Sequence, residues 1–345
     1  MAPFDAVLLV AFGGPQGRED IRPFLANVLR GRRVSPERVA EVAAHYERFD
    51  GVSPLTAITH RQADGLRARL LDRGVDLPVY VGMRNWDPLL PDVLRAMARR
   101  GVLRAIGFIC APHRSYSSCG QYRENVADAC AAAVSEGVRD VTMTYVGDWH
   151  THDNFIEVNA RNVAEAFARL PQSVRGSARI VFTAHSLPVA MPGADVYRAQ
   201  LLESASLVAA RLRWADWAVV FQSRSGRPED QWLEPDVCRY LHEERMRGLA
   251  AAVLCPIGFI CDHIEVLHDL DHEAAQLCTS IGLPMARART VNDDPDFLEM
   301  MADVVLQTWD RYRTGRPLPL ARPPAARTTG RDAGVDAAAT KAGRV

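Results

Sequence analysis

One stretch of the chain is dense in side chains that bind metals or carry protons: Asp262-His263-Ile264-Glu265-Val266-Leu267-His268-Asp269-Leu270-Asp271-His272-Glu273. Read as a helix, it sets Asp262, Glu265, Asp269 and His272 at i, i+3, i+7 and i+10, three carboxylates and an imidazole on one face. Like charges at these spacings repel. A bound cation, or protons held at shifted pKa values, would neutralise them. Oxygen and imidazole donors suit a divalent first-row metal. The plainer alternative is a solvated acidic face. The interleaved Ile264, Val266, Leu267 and Leu270, and the apolar run Ala251–Cys255 that leads in, weigh against it.

A second candidate is His185, in Thr183-Ala184-His185-Ser186-Leu187-Pro188. It ends an apolar run, the place where parallel sheets present functional groups. The neighbouring Ser186 does not make a hydrolase. No G-x-S-x-G elbow occurs, and adjacent residues point apart. Gly13-Gly14-Pro15-Gln16-Gly17 departs from G-x-G-x-x-G, Pro15 lacks a backbone donor, and no Walker GK[ST] occurs, so nucleotide binding is not expected. Ala111-Pro112-His113-Arg114-Ser115-Tyr116-Ser117-Ser118-Cys119-Gly120-Gln121-Tyr122-Arg123 is rich in hydroxyls and aromatics. It suits a flat, partly polar ligand, or is an ordinary polar loop.

The elements that must carry these residues are short apolar runs alternating with amphipathic stretches. Residues 6–12, 78–82, 104–110, 140–145, 179–183, 217–222 and 249–256 read as strands; 61–71 and 296–309 read as helices. Continuous apolar strands separated by helices imply βαβ units, so the fold class is α/β, doubly wound, with parallel sheets. An internal echo supports two similar lobes. Ala11-Phe12-Gly13-Gly14-Pro15 parallels Ala184-His185-Ser186-Leu187-Pro188, and Gly107-Phe108-Ile109-Cys110 recurs as Gly258-Phe259-Ile260-Cys261. The reading is an N-terminal lobe over 1–165, a C-terminal lobe over 166–313, and a ligand cleft between them. Residues 314–345, rich in Pro, Arg, Ala, Gly and Thr, are expected to be disordered.

Composition narrows the partners. Apolar residues are 48%, charged residues 24%, and the net charge is −1. No global field favours nucleic acid or anionic lipid. No run approaches the roughly 18–20 apolar residues of a membrane span, and the short N-terminal run lacks a basic leader, so a cytoplasmic protein is expected. The seven cysteines form no C-x-x-C pair, and reduced, mostly buried thiols are expected.

Taken in order, LLVAFGGP, GVSPL, GMRNW, YSSCGQY, AHSLP, FQSRSG…WLEPDV and PIGFICDHIEVLHDLD resemble the ferrochelatases over residues 4–310. The YSSC-x-QYRE loop and the RNW segment resemble the actinobacterial, coproporphyrin III-using branch. The resemblance implies two Rossmann-like lobes around a porphyrin cleft and insertion of Fe²⁺, a substrate, into the ring. It places the catalytic metal site at His185 and Glu265, with Asp262, His263 and Asp269 as a proton or metal relay. It matches Arg30, Ser53 and Tyr122 to porphyrin-holding positions. Phe12, Trp86 and Trp149, with Tyr122, are candidates to clamp the ring face. Tyr122 is also a candidate ligand to the product iron, since Phe12 replaces a tyrosine of some relatives.

Relatives in that branch often hold a [2Fe–2S] cluster, and Cys119 matches one of its ligands. No cysteine follows Cys278, so the cluster is not expected, and only an internal set with Cys110, Cys119 and Cys130 would remain. Partners implied are porphyrin and ferrous iron, with room for a haem-pathway protein, and a monomer is expected. Two other readings stand beside this one: a cobalt or nickel tetrapyrrole chelatase, since N/O ligands do not separate these metals, and a non-catalytic porphyrin or haem carrier. A carrier needs neither the acidic line nor His185.

Overall fold

The computed structural model describes residues 2–31, 34–225 and 229–313. The tail after residue 313 lies outside the described residues.

Eight strands form two parallel four-stranded sheets. The first holds Ala6–Ala11 (β1), Val79–Met83 (β2), Arg104–Ile109 (β3) and Thr142–Tyr145 (β4), in the order β2-β1-β3-β4. The second holds Ala178–His185 (β5), Trp217–Gln222 (β6), Ala251–Cys255 (β7) and Met285–Arg287 (β8), in the order β6-β5-β7-β8. The two orders are the same, so the internal echo is a repeat of topology, with β1 and β5 as equivalent strands. The Gly-Phe-Ile-Cys match does not extend it. Gly107–Ile109 lies in β3, whereas Gly258–Cys261 forms a turn after β7 has ended at Cys255. The three-residue β8 is too short to leave a run in the sequence.

Helices fill the connections. In the first half they are Ile21–Val28 (α1), Pro36–Glu47 (α2), Pro54–Asp72 (α3), Leu90–Arg99 (α4), Gln121–Ser135 (α5) and Asp153–Arg169 (α6). In the second they are Gln172–Arg175 (α7), Ala194–Arg211 (α8), Val237–Met246 (α9), Ile264–Val266 (α10), Ala275–Ser280 (α11) and Pro295–Arg313 (α12), with a π-helical segment, Leu267–Ala274, joining α10 to α11.

Alternation along each strand sorts its side chains into layers. Val7, Leu9 and Ala11 of β1, with Ile180, Phe182 and Ala184 of β5, face one central layer built from α3, α6, α8 and α12. Ala6, Leu8 and Val10 face α4 and α5 on the outside. Val181 faces α9, the π-helical segment and α11 on the other outside. Both faces of each sheet are therefore covered, and β1 and β7 are wholly buried. Each fully buried Val, Leu, Ile or Phe contributes about 1.5–3 kcal/mol over its exposed state. The division expected at residue 165 falls inside α6. The last helix, α12, returns to pack on α3 and β3 as well as α6, and Phe4 meets Tyr312 edge-on at 5.5 Å.

The turn after β7 is held against the end of β5. The Gly258 N–H donates to Thr183 O at 3.1 Å. A Cβ on Gly258 would stand 2.5 Å from Ala184 Cβ and 2.8 Å from its Cα, next door to His185. Gly258→Ala is therefore expected to lower stability by about 1–3 kcal/mol in urea unfolding. Gly176→Ala, where an added Cβ meets nothing within 4 Å, is expected to leave the midpoint unchanged.

Candidate active site

His185 is the last residue of β5 and pairs in register with Gln222, the last of β6. Its Nδ1 lies 2.5 Å from Ser186 O. A carbonyl only accepts, so Nδ1 carries a proton, and Nε2 is the ring nitrogen left to take one up or give one away. That Nε2 stands 4.0 Å from Glu265 Oε2, with the two side chains 30% and 41% exposed. The structure thus brings together the two residues first singled out from separate motifs. The Tyr197 hydroxyl donates to His185 O at 3.2 Å and anchors the strand end from behind. Ser186 Oγ is buried and donates to Leu233 O at 2.9 Å, which leaves it no part in nucleophilic chemistry.

The helix carrying Glu265 departs from the regular face expected of it. Asp262 precedes the helix, which starts at Ile264. Arg287 Nη1 donates to Asp262 Oδ1 at 2.7 Å, and Asn292 Nδ2 donates to Oδ2 at 3.0 Å. From Leu267 to Ala274 the backbone is π-helical, with i→i+5 bonding and wider turns. That turn brings Asp269 and Glu273 together with His268, and His272 is not part of the group. Asp269 Oδ2 accepts from Gln222 Nε2 at 3.1 Å and from Ser223 Oγ, while Oδ1 lies 3.4 Å from His268 Nδ1. Ser223 adopts φ +59, a left-handed conformation uncommon outside glycine.

Among the described residues, one group of three or more His, Cys, Asp or Glu has ligand atoms all within 4.8 Å of one another: His268, Asp269 and Glu273. It supplies one imidazole and two carboxylates, a set a divalent cation would accept. Sequence reading did not select His268 or Glu273, although both lie in the quoted motif, because their convergence depends on the π-helical turn. No cysteine belongs to the group. All seven cysteines are free, and burial raises every thiol, Cys110 to about 12 and Cys130 to about 11.

Burial also sets the protonation of the histidines around the site. It lowers His263, against the opposing pull of Glu265, Asp262 and Asp269. It lowers His45, on α2, whose ring stacks on His268 at 3.6 Å and is further lowered by it. Burial raises Glu273, whose charge is disfavoured again by Asp269.

The opposite wall comes from the carboxyl ends of the first sheet. Phe12 follows β1, and Trp86 lies in the loop after β2. Both are half-buried, and both meet the Phe24 ring of α1, at 6.2 and 6.3 Å. Tyr46 of α2 and Ile264, which immediately precedes Glu265, complete that cluster. Tyr122 is buried under Arg84, whose guanidinium lies 4.4 Å over its ring. Ser53 is buried at the start of α3, and Gln16 Nε2 donates to its carbonyl. Arg30 is exposed beyond α1, with Nη2 on Asn27 Oδ1 at 2.7 Å. Trp149 is not available as a clamp. It is 5% exposed and stacks on Phe108 in the central core, edge-on to Phe155 and Phe297.

The family model described as Ferrochelatase matches residues 4–309. A coproporphyrin III ferrochelatase of Streptomyces coelicolor is 42% identical over 89% of this chain and 86% of its own length. One of Mycolicibacterium smegmatis is 43% identical over 88% and 89%. A ferrochelatase of Rhodopirellula baltica is 44% identical over 88% and 86%. Among solved structures, SirB from Bacillus subtilis with Fe3+ shares the fold, with a TM-score of 0.56 at 10% identity, over 90% of this chain and 97% of that one.

Behind β5, His113 is buried, with Nε2 3.0 Å from Ser204 Oγ, and burial pushes its pKa down to about 3. The unfolded chain protonates this group below its ordinary 6.5, and the folded chain does not until about 3. Stability is therefore expected to fall as pH drops through that window, by up to about 1.4 kcal/mol per unit from this group. In urea titrations from pH 7 to pH 4, His113→Gln should show the shallower loss. Parallel slopes for the two proteins would mean that His113 is not the responsible group.

Proposed function

The chain belongs to the ferrochelatase family, and on that premise we propose that it inserts ferrous iron into coproporphyrin III at the His185–Glu265 pair. As a ferrochelatase it is a metal-inserting lyase of haem biosynthesis. Among the described residues no helix is long and apolar enough to cross a membrane.

The reaction exchanges two pyrrole N–H protons for one Fe²⁺. One small space must therefore take up protons and hold a cation. The observation that carries the reading is the fixed His185 ring, whose Nε2 stands 4.0 Å from a carboxylate. His185 Nε2 acts as the base for the pyrrole protons. The Glu265 carboxylate steadies the imidazolium that forms, and its exposure lets it pass protons to water or hold the incoming cation. His263, kept neutral by burial, and Asp269, fixed by Gln222 and Ser223, continue that path. Asp262, tied to Arg287, supports the path by orienting the start of the helix.

Bending the macrocycle turns its nitrogen lone pairs out of the plane, and the strain is drawn from binding elsewhere on the ring. Phe12 and Trp86, both half-buried, supply that surface with Tyr122 beneath Arg84 as its backing, and Arg30 and Ser53 hold the ring's polar edge. Coproporphyrin III is favoured over protoporphyrin IX because relatives in Streptomyces and Mycolicibacterium carry the former in their names.

Anaerobic incubation with Fe²⁺ and each porphyrin, followed by visible absorption, tests the reading. The wild type should metallate coproporphyrin III faster than protoporphyrin IX. His185→Ala and Glu265→Gln should lose about 10²–10⁴-fold in rate while still binding porphyrin. Tight porphyrin binding with no iron insertion by the wild type would instead favour a carrier. Insertion of Co²⁺ or Ni²⁺ alone would reassign the metal.

A further inference from the structure

Arg84, in the loop after β2, is a cation without a paired anion among the described residues. Its side chain is half-buried and its backbone N–H is tied to Ala11 O at 3.0 Å, at the carboxyl edge of the first sheet. Nε donates to Asn125 Oδ1 at 2.7 Å. The guanidinium carbon lies 4.4 Å from the Tyr122 ring centroid and 5.9 Å from that of Phe12. Among the described residues no carboxylate is paired with it. Glu124, also on α5, accepts instead from the Tyr116 hydroxyl at 2.9 Å.

Two other half-buried arginines have such partners, whereas Arg104 and Arg245 are satisfied by backbone carbonyls that Arg84 lacks among the described residues. Arg287 is bound by Asp262 and Asp271, and Arg179 by Asp216 and Glu244. Withdrawing a cation from water without a counter-charge is costly, and aromatic faces with one amide offset only part of that cost. The guanidinium is a planar fork shaped for bidentate capture of a carboxylate. It also stands between two side chains of the ring-binding wall.

We propose that Arg84 binds a peripheral carboxylate of the porphyrin and so contributes to selection of the ring by its acid side chains. This rests on the porphyrin reading above, and it adds a specificity-determining contact that neither Arg30 nor Ser53 supplies. Asn125 and the two rings hold the fork in place before the ligand arrives, so little ordering is needed on binding.

Porphyrin fluorescence titration of the full chain separates the outcomes, using coproporphyrin III and its tetramethyl ester in the same detergent. Arg84→Met should weaken the free acid by about tenfold or more, as expected for a hydrogen bond to a charged group. It should change the ester by less than about twofold. Arg84→Lys, which keeps the charge but not the fork, should recover part of the loss. Equal weakening of acid and ester would overturn the proposal and leave Arg84 as a support for Tyr122. No weakening of either would also overturn it. A wild-type chain that binds neither compound would overturn the porphyrin reading, and the assignment of Arg84 with it.

Discussion

Glu265 faces His185 because the chain on its N-terminal side is pinned twice. Gly258 lies flat on Ala184, so close that a methyl group does not fit. Six residues later Ile264 is buried among Phe24, Tyr46 and their neighbours on the first two helices. Between these points Arg287 and Asn292 hold Asp262. The polar pair is thus located by apolar packing and one ion pair behind it, on elements drawn from both sheets. A carboxylate and an imidazole at 4.0 Å do not hold each other in partly exposed surroundings.

The π-helical segment sets which acids of the motif converge. The wider turn brings Asp269 and Glu273 within 4.8 Å of each other and of His268. The two acids are held differently. Asp269 is gripped by two donors on one oxygen and turns the other toward His268. Burial makes Glu273 easier to protonate.

Much of this was legible in the sequence, and the misses have physical causes. Long apolar strands marked β1, β3, β5 and β7, because strands covered on both faces carry no polar alternation. β8 was invisible at three residues. His185 and Glu265 were found because strand ends and clustered acids leave signals in residue type. The sharing of that acidic helix between α and π winding leaves none, so Asp262 was put on a face it does not join, and Glu273 was passed over. Trp149 was a candidate to clamp the ring face, whereas its ring fills the central core against Phe108, Phe155 and Phe297. Aromatic type alone does not say which side of a wall a ring occupies. The unpaired charge of Arg84 was equally hidden, since pairing is a property of space and not of order along the chain.

The return of the last helix bears on how the molecule is made. Phe4, two residues before the first strand, is buried against Trp309 and Tyr312 near the other end of the described chain. Leu66 of α3 and Phe297 of α12 share one core. During synthesis the first sheet, with α3 and α6, emerges long before α12, so the layer on its inner face stays incomplete until that helix is made. The N-terminal half then cannot reach its final packing until the C-terminal helix has left the ribosome.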